Sequence, residues 1–363
     1  MPGVYISYPF CAQKCSYCNF ASDVQPRDLE PRYVAALHAE LEAMQWPWTP
    51  ETVFLGGGTP SRMDPRDLAD LLALIPGGSS HQSWIEATIE AAPGSITQAK
   101  AEAWRAAGIN RVSLGVQSFI QKELARTGRT HTAEIVGADI ATLRHAGLAN
   151  FNVDLVAGLP GQTLSSWNQS LEWIAPLEPP HVSVYMLEVD EDSRLGAEVL
   201  ALGKRYGASE VPSDDAIADF YEVAVDRLAS LGIPRYEISN FARPGLESRH
   251  NLKYWRREPY LGFGADAHSF DGMSRWQNVE SASEYVRLAE LGQSSVIDIT
   301  RSDPGAQFFL GLRLTKGVEG DWSPFAAAVQ EFARQGLLEI DGRKLRLTPR
   351  GVLLSNEVFA EFV

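Results

Sequence analysis

Residues 4–18, VYISYPFCAQKCSYC, combine an apolar run that predicts a β-strand over Val4–Tyr8 with three cysteines directly after it. Cys11, Cys15 and Cys18 are the only cysteines of the chain, in a C-x3-C-x2-C arrangement. Three thiolates at this spacing can each ligate one corner of a [4Fe-4S] cluster and leave the fourth iron without a cysteine. A zinc site of three cysteines and a histidine is the alternative, although structural zinc motifs favour C-x2-C pairs.

The open fourth iron of such a cluster can chelate a small molecule through an amine and a carboxylate. S-adenosylmethionine (SAM) offers both groups on its methionine end. The cysteine spacing therefore predicts a cluster with one open iron, for which SAM is a suitable ligand.

The composition is that of an ordinary folded protein. Of the 363 residues, 45% are hydrophobic, which is enough for one large domain and a smaller companion. No apolar run approaches the roughly 20 residues that span a bilayer, and no secretory signal pattern is visible, so we expect a cytoplasmic protein. The formal net charge of −14 argues against a nucleic-acid partner.

Apolar runs alternate with amphipathic stretches through the first two-thirds of the chain, which predicts parallel strands with helical crossovers. The fold class is therefore α/β, either a partial (β/α)6 TIM-like barrel or an open doubly wound sheet, with the site at the carboxyl ends of the strands. Strands are predicted over Val4–Tyr8, Thr52–Leu55, Trp84–Glu90, Arg111–Val116, Phe151–Val156, Val182–Leu187 and Tyr236–Phe241. Helices are predicted over Pro31–Met44, Pro65–Leu74, Thr97–Ala107, Ala133–His145 and Leu164–Ile174.

The C-terminal part has a different pattern. After a long helix over Asp214–Leu231 and a polar block, a helix over Ala326–Gln335 precedes a hairpin over Leu337–Leu347. This predicts a small helical or winged-helix-like domain, which we expect to dock on the barrel because it carries few net positive charges. The predicted divisions are a barrel (1–235), an extension with the haem or substrate segment (236–300) and the C-terminal domain (301–363).

The cysteine loop, with the aromatic Tyr17 before its third cysteine, resembles the signature of the radical SAM superfamily. Further motifs resemble the family of oxygen-independent coproporphyrinogen III oxidase (HemN) and its relative HemW: YISYPFC (5–11), GGGTP (56–60), LGVQSF (114–119), NVDLVAGLPGQT (152–163) and YEISNF (236–241). This resemblance implies a [4Fe-4S] cluster and SAM as cofactors, and an electron donor such as a flavodoxin or ferredoxin.

The resemblance also implies a set of SAM-binding residues at the predicted strand ends. Glycines there let a ligand approach the backbone, an arginine can pair with the SAM carboxylate, and a carboxylate can accept from ribose hydroxyls or the amine. For each single residue, a strand cap or a surface salt bridge is the alternative. The implied residues are Tyr5, Tyr17, Gly57, Gly58, Thr59, Glu90, Gln117, Arg129 and Asp154.

Three features are closer to HemW than to HemN. Phe20 stands where HemN oxidases carry a further cysteine, and the sequence starts ten residues before Cys11, without the N-terminal extension of the oxidases. His250, Asn251, Tyr254 and Trp255 match the HNxxYW motif linked to haem binding in the HemW family, and imidazole is a suitable axial ligand for haem iron.

The alternative is that His250 caps a loop and that the aromatic residues are core. His268 is a second candidate histidine with an equally plausible structural role. Ser7 replaces a histidine that is usual in the family, a change that can alter activity but does not threaten the fold.

The predicted function is that of a HemW-like haem chaperone, which binds haem and transfers it to acceptor proteins. One alternative is an oxygen-independent coproporphyrinogen III oxidase, an enzyme that abstracts hydrogen from porphyrin propionates. Another is a radical SAM methyltransferase of the same subclass, which needs a second SAM. Enzymatic activity is thus left open, as is the choice between haem cargo and a porphyrin substrate.

Overall fold

The computed structural model describes residues 2–19, 21–77, 84–301 and 303–362. The strands are β1 (Gly3–Tyr8), β2 (Thr52–Gly57), β3 (Glu86–Ala91), β4 (Arg111–Gln117), β5 (Phe151–Ala157), β6 (His181–Met186), β7 (Asn240–Ala242), β8 (Tyr260–Phe263), β9 (His268–Phe270), β10 (Ser274–Asn278), β11 (Val296–Arg301), β12 (Val318–Glu319), β13 (Leu338–Asp341) and β14 (Lys344–Leu347). The helices are α1 (Leu29–Ala43), α2 (Pro65–Ala73), α3 (Gln98–Ala106), α4 (Gln121–Arg126), α5 (Ala133–His145), α6 (Leu164–Glu172), α7 (Ile174–Leu177), α8 (Arg194–Leu200), α9 (Asp214–Ser230), α10 (Arg249–Trp255), α11 (Ala282–Glu290), α12 (Ala306–Gly311), α13 (Ala326–Arg334), α14 (Pro349–Leu353) and α15 (Ser355–Phe359).

Six parallel strands form the centre of the molecule. β1 to β6 are neighbours in chain order, and helices connect each strand to the next. At the two ends of this set, β1 pairs with β8 and β6 pairs with the antiparallel β7, so within the described ranges the sheet does not close on itself. The predicted α/β class with six βα units and an incomplete barrel is confirmed.

One predicted strand, Tyr236–Phe241, was wrong over most of its length. Only its end belongs to β7, because the preceding residues form a turn in which the Tyr236 N–H donates to the Asn240 carbonyl over 3.0 Å. The Glu237 carboxylate stabilises that turn by accepting from the Ser239 N–H, also over 3.0 Å. A buried acid that binds its own neighbouring backbone favours a turn over an extended strand.

Side chains alternate along the six parallel strands. One set, exemplified by Val53, Ile89 and Val112, packs against the helices in the main core. Because successive strand residues point to opposite faces, the residues between them face the interior of the incomplete barrel. Many of the interior residues are polar, and the buried polar ones include Ser7, Thr52, Glu86, Thr88, Arg111, Ser113, Asn152, His181 and Ser183.

Helix α10 closes the amino-terminal end of this interior. The Glu86 carboxylate, at the start of β3, accepts from the Arg249 N–H over 2.9 Å and the His250 N–H over 2.8 Å. Ser248 caps the helix with its hydroxyl oxygen and donates to the same carboxylate. These contacts satisfy donors that a helix N-terminus leaves unpaired.

The C-terminal residues form the predicted combination of helices and hairpin. Helices α12 to α15 surround a three-stranded antiparallel sheet of order β12-β14-β13. Arg313 joins this part to the barrel, since its carbonyl accepts from the Ile238 N–H and its guanidinium lies 4.3 Å from the Trp255 ring centroid.

The domain boundaries at 235 and 300 stay a prediction, and β8 to β11 extend the barrel sheet beyond the first of them. Within the ranges that the structure describes, no helix is long and apolar enough to cross a membrane.

Candidate functional site

The cysteine loop lies at the carboxyl end of β1 and is anchored by backbone hydrogen bonds. The Cys11 N–H donates to the Asp23 carbonyl over 3.0 Å, and the Ser16 N–H donates to the Thr127 carbonyl over 3.4 Å. The Leu195 N–H of α8 donates to the Ser16 carbonyl over 2.8 Å. The loop is thus fixed to segments that follow β4 and β6, on the side of the sheet where the parallel strands end.

The three thiols form no disulfide in the described part of the chain, and all are partly exposed. No group of three His, Cys, Asp or Glu side chains among the described residues is placed to hold a single metal ion. A cubane cluster differs in this respect, because each thiolate binds a different iron atom.

The glycine run after β2 lies against the chain that leads into the cysteine loop. The Gly58 N–H donates to the Tyr8 carbonyl over 2.8 Å and the Thr59 N–H donates to the Phe10 carbonyl over 3.0 Å. A Cβ atom on Gly58 would lie 2.8 Å from Phe10 backbone atoms, and Gly57 has φ of +105°. Glycine is therefore needed here for packing and conformation, independently of any ligand.

Arg129 lies beside the cysteine loop. Its Nη1 donates to the Gly115 carbonyl over 2.6 Å, and its guanidinium hydrogen-bonds the side chains of Cys15 and Tyr17. Burial lowers the pKa of Arg129, but Tyr17 and Cys15 outweigh this effect and raise it overall. Its Nε is buried and, among the described residues, has no hydrogen-bond partner. An unpaired buried donor is costly, and a carboxylate ligand would satisfy it.

Gln117 ends β4 in a strained conformation. Its φ of +69° is unusual for a residue other than glycine, and the pairing of β4 with β5 is irregular between Leu114 and Gln117. Its side chain lies beside Gly115 and Arg129, since a Cβ on Gly115 would be 3.1 Å from Gln117 Nε2 and 3.6 Å from Arg129 Nη1. Strained residues of this kind are concentrated at functional sites.

Two carboxyl groups, Glu90 and Asp154, lie on the interior side of β3 and β5. Burial, followed by the neighbouring Asp154 charge, raises the pKa of Glu90 to about 8, although the Gly57 backbone N–H and Arg111 oppose the rise. Burial also raises the pKa of Asp154, against hydrogen bonds from Asn152 and others. Two buried acids in electrostatic contact form a site that favours a cationic ligand.

The structure brings most of the predicted SAM residues to one end of the sheet. Tyr5 is within electrostatic range of Glu90, and Tyr17 and Arg129 adjoin Cys15. Their roles stay a prediction. Phe20 lies outside the described residues.

His250 is not part of this group. It is buried in the floor of the barrel, where Nδ1 lies 2.9 Å from Thr52 Oγ1 and Nε2 lies 2.7 Å from Tyr254 Oη. Burial, then the charges of Lys253 and Arg111, lowers its pKa to about 3, so the ring is neutral. His268 lies on β9, separated from β1 by β8.

Comparison with known proteins decides the family. A sequence model of the radical SAM superfamily matches residues 5–174, and one of the HemN C-terminal domain matches residues 306–354. A Bacillus subtilis protein named heme chaperone HemW is 34% identical over 100% of this chain and 99% of its own length. A Lactococcus lactis protein of the same name is 33% identical over 99% of this chain and 96% of its own length. The chain belongs to the HemW family.

The solved structure of Escherichia coli HemN, a coproporphyrinogen III oxidase described as a radical SAM enzyme, has the same fold. It matches with a TM-score of 0.82 over 99% of this chain and 89% of its own, at 21% identity. Membership of HemW in the radical SAM superfamily implies a [4Fe-4S] cluster and SAM. The residues present fit both, since three cysteines share one anchored loop and the adjacent Arg129 has an unsatisfied buried donor.

Sequence reasoning did not identify the other polar residues inside this HemW barrel. The signal was available, because polar residues occur at alternate positions of strands that are usually apolar throughout in parallel sheets. Asn152 and Asp154 show this spacing on β5, as do His181 and Ser183 on β6. Arg111 and Ser113 repeat it on β4.

Proposed function

We propose that this chain is a haem chaperone of the HemW type, which binds haem and transfers it to acceptor proteins. The observation that carries the proposal is the similarity, over nearly the whole chain, to proteins named heme chaperone HemW. The cysteine loop and the buried acids on β3 and β5 support the cofactor part of the proposal.

In this proposal Cys11, Cys15 and Cys18 hold a [4Fe-4S] cluster next to SAM. Such a cluster, when reduced, supplies the electron that cleaves the SAM sulfonium. Arg129 would donate to the SAM carboxylate through its Nε, which has no hydrogen-bond partner in the part of the chain that the structure describes. Glu90 and Asp154 would face the positive charge and the hydroxyls of SAM, with Tyr5 and Gln117 lining the same side of the sheet.

His250 is the proposed haem ligand, but one of its hydrogen bonds must break before its ring can bind iron. Both ring nitrogens already have hydrogen-bonding partners, Thr52 and Tyr254. Ligation through Nε2 therefore requires Tyr254 to release its bond. The tyrosine that holds the histidine at rest belongs to the same HNxxYW motif, so α10 would rearrange when haem binds.

The proposal places the protein in the cytoplasm, because thiolates that ligate a cluster need a reducing compartment. A flavodoxin or ferredoxin would supply the electron to the cluster. Haem-acceptor proteins are the proposed partners for transfer.

The test uses anaerobically reconstituted protein. We expect iron and sulfide in the ratio of a [4Fe-4S] cluster, SAM binding, and haem binding without conversion of coproporphyrinogen III. Replacement of Cys15 by serine should abolish the cluster. Conversion of coproporphyrinogen III to protoporphyrinogen would overturn the chaperone function in favour of the oxidase, and transfer of a SAM methyl group to a substrate would favour the methyltransferase. Uptake of zinc without a cluster would overturn the cofactor assignment.

A further inference from the structure

Four hydrogen bonds in series connect Asp154, at the proposed SAM site, with the start of α10. Asn152 Nδ2 lies 2.6 Å from Asp154 Oδ1, and His181 Nδ1 lies 2.6 Å from Asn152 Oδ1. Tyr236 Oη lies 2.9 Å from His181 Nε2, and the Ser248 N–H donates to Tyr236 Oη over 3.2 Å. The series runs through the barrel interior from the middle of β5 to the floor.

Chemistry determines the direction of every bond in the series. The Asp154 carboxylate only accepts, so Asn152 presents its Nδ2 to Asp154 and its Oδ1 to His181. His181 must therefore carry its proton on Nδ1. In a neutral imidazole the other nitrogen then accepts, so Tyr236 donates its hydroxyl proton to Nε2. Burial, together with the Arg111 charge, holds the pKa of His181 well below its ordinary value, which is consistent with the neutral ring.

The His181 N–H reinforces this orientation of Asn152. A carboxamide has nearly the same shape when flipped, but only one orientation presents Oδ1 to the His181 N–H. In that orientation Nδ2 faces Asp154 Oδ1 and also lies 2.7 Å from Ser113 Oγ. Ser113 Oγ in turn donates to Asp154 Oδ2 over 3.2 Å. Both carboxylate oxygens are thus held, and a flipped Asn152 would place an oxygen against a carboxylate.

We infer that His181 is a positioning residue for SAM binding: it orients Asn152, which holds the Asp154 carboxylate in place. The inference rests on the proposed role of Asp154 towards SAM. His181 lies at the first position of β6 and is completely buried, so it acts through Asn152 and not by touching the ligand.

The experiment measures the SAM dissociation constant of anaerobically reconstituted protein by equilibrium dialysis, normalised to cluster content. His181→Phe removes both ring hydrogen bonds, and we expect affinity to fall roughly tenfold, the equivalent of one lost hydrogen bond to a charged group. His181→Asn places an amide N–H near the position of Nδ1, and we expect most of the affinity to return. A His181→Asn variant as weak as His181→Phe would overturn the inference.

A double-mutant cycle separates positioning from a general structural effect. In an Asp154→Asn background, His181→Phe should weaken SAM binding no further, because the carboxylate through which it acts is gone. Additive losses would overturn the inference. If Asp154→Asn itself keeps parental affinity, the proposed role of Asp154 fails. If only Asp154→Asn weakens binding and His181→Phe does not, the role of Asp154 stands and the positioning role fails.

Two tyrosine variants test the series if His181→Phe does not fold. Tyr236→Phe removes the hydroxyl that holds His181, and we expect roughly threefold weaker SAM binding, less than for His181→Phe because one link remains. Tyr221→Phe is the matched control, since it removes a buried hydroxyl that donates to the Ile238 carbonyl, outside the series. Equal SAM affinity of the two variants would overturn the inference.

Discussion

Gly58 packs directly against the backbone of Phe10, the residue before the first cysteine. The Thr59 N–H donates to the Phe10 carbonyl, so the glycine run and the start of the cysteine loop form one bonded unit. The glycines that the family resemblance assigned to SAM therefore also hold the cysteine loop against β2. Loss of glycine at this position would alter the loop before any ligand is present.

Gly58→Ala should reduce both stability and cluster content. A Cβ here meets backbone atoms, which cannot move aside as a flexible side chain can, so we expect a loss of about 1–3 kcal/mol. The measurements are urea unfolding and iron content after reconstitution.

Gly137→Ala is the control, because this glycine lies within α5 and no heavy atom of the described residues is within 4 Å of its Cβ position. It should gain about 0.5–1 kcal/mol. Normal iron content in Gly58→Ala would contradict the structural role.

Arg129→Lys should weaken SAM binding about tenfold or more, because a lysine cannot reproduce the forked contacts of a guanidinium with Gly115, Cys15 and a ligand carboxylate. Equilibrium dialysis of reconstituted protein measures the effect. Arg126→Lys is the control, since Arg126 binds Glu210 and the Pro160 carbonyl instead. Equal affinities of the two variants would exclude Arg129 from the SAM site.

The stability of the ligand-free protein should fall as the pH rises towards 8, in part because of Glu90. Its pKa is raised from the ordinary value to about 8, so between these values the folded state keeps a proton that the unfolded state has lost. The contribution of this proton to the unfolding free energy is fully present below the ordinary carboxyl pKa and is lost as pH rises through about 8. The unfolding free energy falls by at most about 1.4 kcal/mol per pH unit for one proton.

Urea unfolding of Glu90→Gln and of the parent across this pH range isolates that contribution, because other buried groups titrate in both proteins. The difference in unfolding free energy between the two should change in favour of the variant as pH rises. Glu172→Gln, at an exposed position of α6, is the control and should parallel the parent. A difference that is constant with pH would disprove the raised pKa.

SAM binding should release about one proton from Glu90 near pH 7, in addition to any proton that the SAM amine loses when it chelates iron. A positive charge beside Glu90 favours the ionised carboxylate and so lowers its pKa below the solution pH. Calorimetric titrations in two buffers of different ionisation enthalpy measure the proton count. Glu90→Gln should release about one proton fewer than the parent. The same proton release in the variant would assign it to another group.

Thr52→Val should destabilise the protein by about 1–3 kcal/mol, because it leaves Nδ1 of the buried His250 without its partner. Chemical unfolding measures the loss. Thr142→Val on α5 removes a hydroxyl that bonds only the Ala138 carbonyl at the surface, and should change stability by at most about 0.5 kcal/mol. A tolerated Thr52→Val would mean that the His250 ring is not held in this way.

Much of the fold was predictable because its signals are local. The six strands and their crossover helices follow from hydrophobic periodicity and from caps such as Asp64 before Pro65, which lie within a few residues of each other. The strand predicted over Tyr236–Phe241 was wrong because of a different local interaction. Apolar and β-branched residues there have strand propensity, but Glu237 binds the adjacent backbone and the turn prevails.

The site was predictable only in part. Both Glu90 and Asp154 were predicted at strand ends, but only Glu90 lies near one, because β5 continues for three residues beyond Asp154. Their mutual effect on pKa depends on how far apart β3 and β5 lie once β4 is between them. His250 was expected to be available to haem, whereas its ring lies on the floor of the barrel with both nitrogens bonded to Thr52 and Tyr254. Thr52 lies 198 positions earlier in the chain, a pairing that no local pattern shows.

The amino-acid sequence alone determined the α/β class and the presence of three cysteines on one loop after the first strand. Periodicity and short-range spacing are properties of contiguous residues, so no folded structure is needed to recognise them. Only the tertiary structure decided that Gly58 supports Phe10, that His250 is enclosed, and that a directed series of hydrogen bonds connects Asp154 with Ser248. These relationships depend on the register of strands that are far apart in the chain, and that register is set by packing of the whole barrel.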